Sequence, residues 1–221
     1  MMQRYTLSLI AIAISIPAYA GFGLETTRVI YQEKDKNQSV VAFNTDQDTN
    51  YLLQSWVENN QEQLSPDFVT TPPLLKLRPQ QKNTIQITKN SNQSNTTEQL
   101  YWLNVKFIAP SDKNLENVLK YSMTHRIKLI YRPSELSVFE LAEEVKKIKW
   151  QMHDGALYAE NPTAFFINIA ALKINATDLE APSYFPPYSK TQLPIQLIPA
   201  SQKSIQLTYI NDYGKAVIET F

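Results

Sequence analysis

The chain has no cysteine at all. That excludes disulfide staples and thiolate metal sites, so the fold must rest on its cores. Histidine is almost as scarce: His125 and His153 are the full complement, too few for a histidine metal cluster. His125 falls at a strand position and reads as a structural residue rather than a ligand or base. Only four glycines are present, which leaves little material for phosphate-cradling loops, and GxSxG, GxGxxG and P-loop patterns are missing. No acids are paired by spacing as a catalytic couple. The residues therefore suggest no enzyme, no cofactor and no metal site. An excess of charge is also missing, since 21 basic and 21 acidic residues balance. Nothing in that balance calls for nucleic acid or an anionic membrane surface.

Long apolar runs are absent after the first twenty residues, so the chain is not expected to be membrane-embedded. At the start, MMQR supplies a basic end, Tyr5 to Ile16 is largely apolar, and Ala18-Tyr19-Ala20 gives the small residues of a cleavage site. The run is too short to span a bilayer, and the pattern is that of a secretory signal peptide over residues 1–20. The mature protein is expected to begin at Gly21 and to work outside the cytoplasm. Loss of the leader removes only Arg4, leaving 20 basic against 21 acidic residues.

What is present is short alternating runs between polar turns, the habit of a β-sandwich. Thr26–Tyr31, Ser39–Asn44, Asn50–Val57, Phe68–Lys76, Asn83–Thr88 and Leu100–Ile108 read as six strands. Pro72-Pro73 cannot lie inside a central strand and marks a bend where the chain changes sheets. The seventh, Asn117–Pro133, is the longest. Leu119, Tyr121, Met123, His125, Ile127, Leu129 and Tyr131 fall on one face, and Lys120, Ser122, Thr124, Arg126, Lys128, Ile130 and Arg132 on the other. Two readings fit that pattern: a long half-buried sandwich strand, or an edge strand offering Leu119, Tyr121 and Met123 to another protein. Seven strands in about 110 residues is an immunoglobulin-like count.

Arg132-Pro133-Ser134 ends this unit, giving a first domain over 21–135 and a second over 136–221. In the second, Leu136–Lys149 is the one helical candidate. Trp150–His153 and Ala156–Glu160 form a hairpin about Asp154-Gly155. AFFINIAALKI is strongly apolar, APSYFPPYSKTQLP reads as a Pro-rich loop, and Ile195–Ile198, Ser204–Ile210 and Ala216–Thr220 read as strands. The architecture expected is all-β, two tandem sandwiches.

Seven segments, in order, carry a family resemblance: TRVIY at 27–31, YLLQSWV at 51–57, TPPLLKLRP at 71–79, EQLYWLNV at 98–105, NVLKYSMTHRIKLIYRP at 117–133, NPTAFF at 161–166 and NDYG at 211–214. The chain resembles the periplasmic chaperones of the chaperone–usher pathway, in the subclass with a short loop before the seventh strand. It departs from some relatives in lacking a cysteine pair near the C-terminus. The resemblance implies two immunoglobulin-like domains set at an angle around a cleft. The chaperone folds and caps pilus subunits by lending a strand to their open groove, then delivers them to an outer-membrane usher. Leu119, Tyr121 and Met123 match the donor positions, and Arg28 and Lys128 match the basic pair that grips the subunit's terminal carboxylate. Glu98, Arg132 and Asp212 match an interdomain ion network. The exposed strand leaves self-association of the free protein open. A pilus subunit or adhesin is the rival reading, opposed by the second domain and the missing disulfide. An exported hydrolase would need a nucleophile and base that the sequence does not mark.

Overall fold

A computed structural model describes residues 21–91, 95–110, 121–194 and 204–221. The leader, Leu119, Lys120 and the Ile195–Ile198 strand expected from sequence lie outside these residues.

The first half contains nine strands among its described residues: β1 (Phe22–Leu24), β2 (Arg28–Gln32), β3 (Gln38–Asn44), β4 (Tyr51–Glu58), β5 (Phe68–Thr71), β6 (Leu74–Leu77), β7 (Lys82–Lys89), β8 (Gln99–Ile108) and β9 (Ser122–Arg132). One sheet runs β1-β3-β7-β5 and the other β2-β9-β8-β4-β6. The count exceeds the seven expected for two reasons. The three-residue β1 contains Gly23 and carries little strand signal. The Pro72-Pro73 bend splits one expected strand into β5, paired with β7, and β6, paired with β4 in the opposite sheet. The proline pair thus does mark the change of sheet. Period-two alternation supplies the core: Leu53, Val57, Ile85, Ile87, Leu103, Val105, Phe107, Leu129 and Tyr131 are buried together between the sheets.

The second half opens with a 3-10 turn at Ser134–Val138 and a short helix, α1 (Leu141–Val145). There follow β10 (Lys149–His153), β11 (Ala156–Asn161), β12 (Ile167–Ile174), β13 (Thr177–Leu179), β14 (Tyr184–Phe185), β15 (Ser189–Leu193), β16 (Ile205–Ile210) and β17 (Ala216–Thr220). The β10–β11 hairpin turns at Asp154-Gly155, both at positive φ (49° and 77°), as a two-residue turn requires. A sheet β10-β11-β15 faces a second built on β13-β12-β16-β17, with β14 beside β12. Between them lies a separate core including Phe165, Ile167, Leu172, Phe185, Leu207 and Tyr209. The Pro-rich stretch 181–194 is corrected here: it holds β14 and β15, because its prolines precede, separate or follow the strands rather than interrupt a ladder. Two sandwiches with two cores make the molecule all-β with two domains, as the sequence suggests.

Candidate functional site

Strand β9 organises the site through an asymmetry in its pairing. From Ser122 to Tyr131 it pairs antiparallel with β8. On its other side β2 pairs with it in parallel, and only from Lys128 to Arg132. Each of the two readings of this strand therefore holds for one half of it. Its C-terminal half is internal, and only Ser122–Ile127 presents an unpaired backbone edge among the described residues. The side chains follow the same gradient. Tyr121 and Met123 are 57% and 52% exposed, His125 and Ile127 half-buried, and Leu129 and Tyr131 buried. The face that closes the core at one end is open at the other.

His125 sits at the transition, edge-on to Phe107 (5.4 Å) and Phe22 (6.2 Å). It packs as a structural residue. Beyond it, Phe22 lies 4.5 Å from the Tyr51 ring and 4.6 Å from Phe107. Tyr51 donates its hydroxyl to Asp46 Oδ2 at 2.6 Å. Burial, the Asp46 carboxylate and the neighbouring Tyr121 phenol together raise the Tyr51 pKa. Tyr121, though exposed, thus touches its own domain through its phenol.

The parallel β2–β9 register makes Arg28 and Lys128 direct neighbours. On the same face Ile130 is buried yet belongs to neither sandwich core, and Arg132 reaches the second domain. Lys128 Nζ donates to Asn168 Oδ1 (3.0 Å) and to the Ser183 carbonyl (2.7 Å), and lies 4.9 Å above the Tyr184 ring. Burial and the adjacent Arg28 lower the Lys128 amine to about 8. Arg28 is lowered too, by burial, with Asp212 acting against the shift. Its Nε and Nη1 are out of contact with water and have no hydrogen-bond partner. Two cations side by side, with buried donors unused, are chemically suited to an anion. A carboxylate matches guanidinium and ammonium donors best of the protein anions.

Glu98, Arg132 and Asp212 are brought together as one network. Arg132 Nε donates to Glu98 Oε1 at 2.6 Å, and its Nη1 and Nη2 donate to the two Asp212 oxygens at 2.5 and 2.9 Å. The other Glu98 oxygen accepts the Phe166 amide at 2.7 Å, and the Glu98 amide donates to the Ala164 carbonyl at 2.9 Å. Arg132 also stands 5.0 Å over the Phe165 ring. Asp212 is presented by a tight turn in which Gly214 holds φ +79° and donates to the Asn211 carbonyl. Burial pushes the Glu98 carboxyl up to about 7, only partly countered by Arg132 and Phe166. Arg132, despite the desolvation of its own burial, is raised by both carboxylates. Two short bonds, from Arg132 and the Phe166 amide, favour the ionised Glu98 carboxylate against the burial that opposes it.

Asn168, Ser183 and Tyr184, which meet Lys128 from the second domain, were not singled out from sequence. Asn168 lies just after the NPTAFF segment, but nothing in its own type or spacing distinguishes it. Among the described residues no group of three or more His, Asp or Glu side chains could hold a metal ion, and no helix is long and apolar enough to cross a membrane.

Two family models cover nearly all of the chain beyond residue 20. The N-terminal domain of the pili and flagellar-assembly chaperone PapD matches residues 21–137, and the C-terminal domain of the pili-assembly chaperone PapD matches 143–221. The chaperone protein FocC of Escherichia coli is 36% identical over 203 residues, covering 89% of this chain and 87% of that one. The crystal structure of the periplasmic chaperone SfaE superposes with a TM-score of 0.76 at 31% identity, over 91% of this chain and 98% of that chain. The Salmonella enterica SafB chaperone, solved in complex with the SafA pilin, shares the fold with a TM-score of 0.80 at 24% identity, over 93% and 98% of the two chains. Two sandwiches, each matched by its own family model and joined through Glu98, Arg132 and Asp212, place this chain in the PapD family of pili-assembly chaperones.

Proposed function

We propose that this chain works in the periplasm, where it binds, folds and caps pilus subunits by strand donation and passes them to an outer-membrane usher. The observation that carries the reading is the pairing of β9: a free edge over Ser122–Ile127 that leads directly to the Arg28–Lys128 pair. A client strand added to that edge extends an existing sheet, so backbone bonds hold it while alternate side chains select it. Strand donation between chaperone and pilin is itself a standard instance of this recognition mode. Leu119, Tyr121 and Met123 fill the subunit's groove, Met123 and Tyr121 being the exposed continuation of the Leu129–Tyr131 face. Arg28 and Lys128 bind the subunit's terminal carboxylate, which satisfies the Arg28 donors that lack partners in the free protein. Glu98, Arg132 and Asp212 fix one domain against the other and so hold Asn168 and Ser183 opposite Lys128.

Three further parts of the reading have their own support. Residues 1–20 are a leader, and the family match begins at residue 21. A domain boundary at 135/136 is supported by Leu136, which packs into the second core. Self-pairing of the free β9 edge is the alternative fate of an unoccupied chaperone.

The experiment is co-purification of pilus subunits from periplasmic extract. Arg28→Ala and Lys128→Ala are expected to leave the melting temperature near wild type and to lower the retained client by about tenfold or more, the loss typical of a charge-assisted contact. Normal client yield from either variant overturns the anchor.

A further inference from the structure

The start of β1 carries a contact that the chaperone reading does not use. A Cβ added to Gly21 would collide with Asp46 Oδ1 and lie 3.1 Å from Oδ2, so the Asp46 carboxylate is packed directly against the Gly21 backbone. Neither side of this contact is free to drift. Gly21 is tied by its carbonyl, which accepts the Thr45 amide at 2.8 Å, and β1 continues in register with β3 from Phe22↔Asn44. Asp46 is fixed at three atoms. Its amide donates to Asn44 Oδ1 at 3.0 Å, its carbonyl accepts from Gln80 Nε2 at 3.0 Å, and its Oδ2 accepts the Tyr51 hydroxyl at 2.6 Å. Oδ1, the oxygen nearest Gly21, is left facing the chain start.

In the uncleaved chain the Gly21 nitrogen is an amide with a single proton directed by the peptide plane. Hydrolysis of the Ala20–Gly21 bond gives Ala20 the carboxylate and Gly21 a free amine, which takes up a proton to become an ammonium at neutral pH. That nitrogen is one bond, about 1.5 Å, from a Cα already against Asp46. The new charge therefore appears beside a held carboxylate of opposite sign, with three donors free to rotate toward it.

We propose that Asp46 is the docking site for the α-ammonium created at Gly21 by leader removal, so that processing itself completes the edge of the first domain. The inference rests on the reading of residues 1–20 as a leader. Its consequence reaches the client surface. Phe22 follows Gly21 directly and packs on Tyr51, Phe107 and His125, the aromatic group beneath Tyr121 and Met123. Phe22 is packed in this group while the leader is attached, and removal of the leader adds an ion pair one residue away that strengthens the hold. A side chain at 21 would displace the same carboxylate.

The test is a cycle of four proteins with defined termini: chains starting at Gly21 or at Ala20, each with Asp46 or with Asp46→Asn. The substitution disturbs the Tyr51 bond equally in both backgrounds, so the difference between them isolates an ammonium placed on Gly21 from one displaced by a residue. Asp46→Asn is expected to lower the Tm by about 2–4 °C more in the Gly21-start chain than in the Ala20-start chain. An equal loss in both overturns the ion pair and leaves the export reading standing. Should the Ala20-start chains fail to fold, the acylation rate of the α-amine at about pH 8, near its ordinary pKa, decides the matter. It should be several-fold slower in the Gly21-start protein than in its Asp46→Asn variant, and equal rates overturn the proposal. Intact mass of the periplasmic protein tests the leader separately: a start other than Gly21 overturns the role of processing whatever the cycle shows.

Discussion

At the scale of single residues, the site is a set of charges placed where water is scarce. Lys128 lies at the centre of it, with an amine at about 8 because burial and Arg28 both disfavour its charge. A client carboxylate beside it supplies the opposite charge and raises that value. Below pH 8 Lys128 is protonated with or without its client, and affinity is indifferent to pH. Above 8 the free amine must take up a proton for the client to bind, so affinity falls as pH rises, by up to about tenfold per unit until the bound-state pKa is passed. Titration of a peptide copying the last residues of a pilus subunit checks this, and Lys128→Arg should flatten the profile because guanidinium does not titrate in that range. The Arg28–Lys128 pair came from the resemblance, and its partners in the second domain were not legible. Arg28 and Lys128 stand side by side only because β2 and β9 pair in parallel across a hundred residues of chain, a non-local event with no local signature. Asn168 and Ser183 reach Lys128 from another domain, and no periodicity reports on such a contact.

Among elements, β9 is where sequence and structure agree most closely and where the remaining difference matters. The alternation of Met123, Ile127, Leu129 and Tyr131 is plain in the sequence because a strand with one apolar face must repeat every second residue. Its half-edge, half-internal character was not legible, since that depends on where β2 stops. The proline-marked switch between β5 and β6 was legible, because proline cannot donate to a central ladder. The β12–β13 turn was not. It places Asn175 and Ala176 at φ 48° and 68°, and alanine gives none of the usual signs of a positive-φ turn. Strand donation makes a period-two prediction for β9 and the segment before it. Met123→Glu or Tyr121→Glu should cut client retention by about 10- to 100-fold, the loss expected when a buried apolar side chain is withheld and a charge enters its place. Ser122→Glu and Thr124→Glu face the other way and should be far milder. The melting curve of each free variant should stay near wild type, because Tyr121 and Met123 are more than half exposed. Equal losses at odd and even positions would sink groove insertion.

For the whole molecule, the ion pair between the sandwiches is made by one guanidinium with two unequal partners. Glu98 is 2% exposed, whereas the Asp212 side chain remains 30% exposed. Arg132→Ala strands the Glu98 carboxylate in the interior and should cost about 3–5 kcal/mol, or lower protein abundance outright. Asp212→Ala leaves Arg132 bound to Glu98 with water able to approach, and should cost no more than about 1 kcal/mol. Its effect should appear instead as a broader distribution of domain orientations in small-angle scattering. A chemical melt of each variant gives the order, and an Asp212 loss as large as that of Arg132 would contradict the network as described. Two sandwiches and their order were legible because each carries its own alternating strands and turn residues. The angle-setting network came from the resemblance, since three charges scattered from 98 to 212 have no spacing of their own.

The parallel register of β2 on β9 has a consequence in length. With the basic pair fixed at Lys128 and the first exposed apolar side chain at Met123, five residues separate the anchor from the insertion face, about 17 Å of extended chain. A client seated at the basic pair is thereby measured from its own terminus. One residue added there would turn every inward side chain outward, so the proposed anchor would gauge where a client ends as strictly as what it is made of.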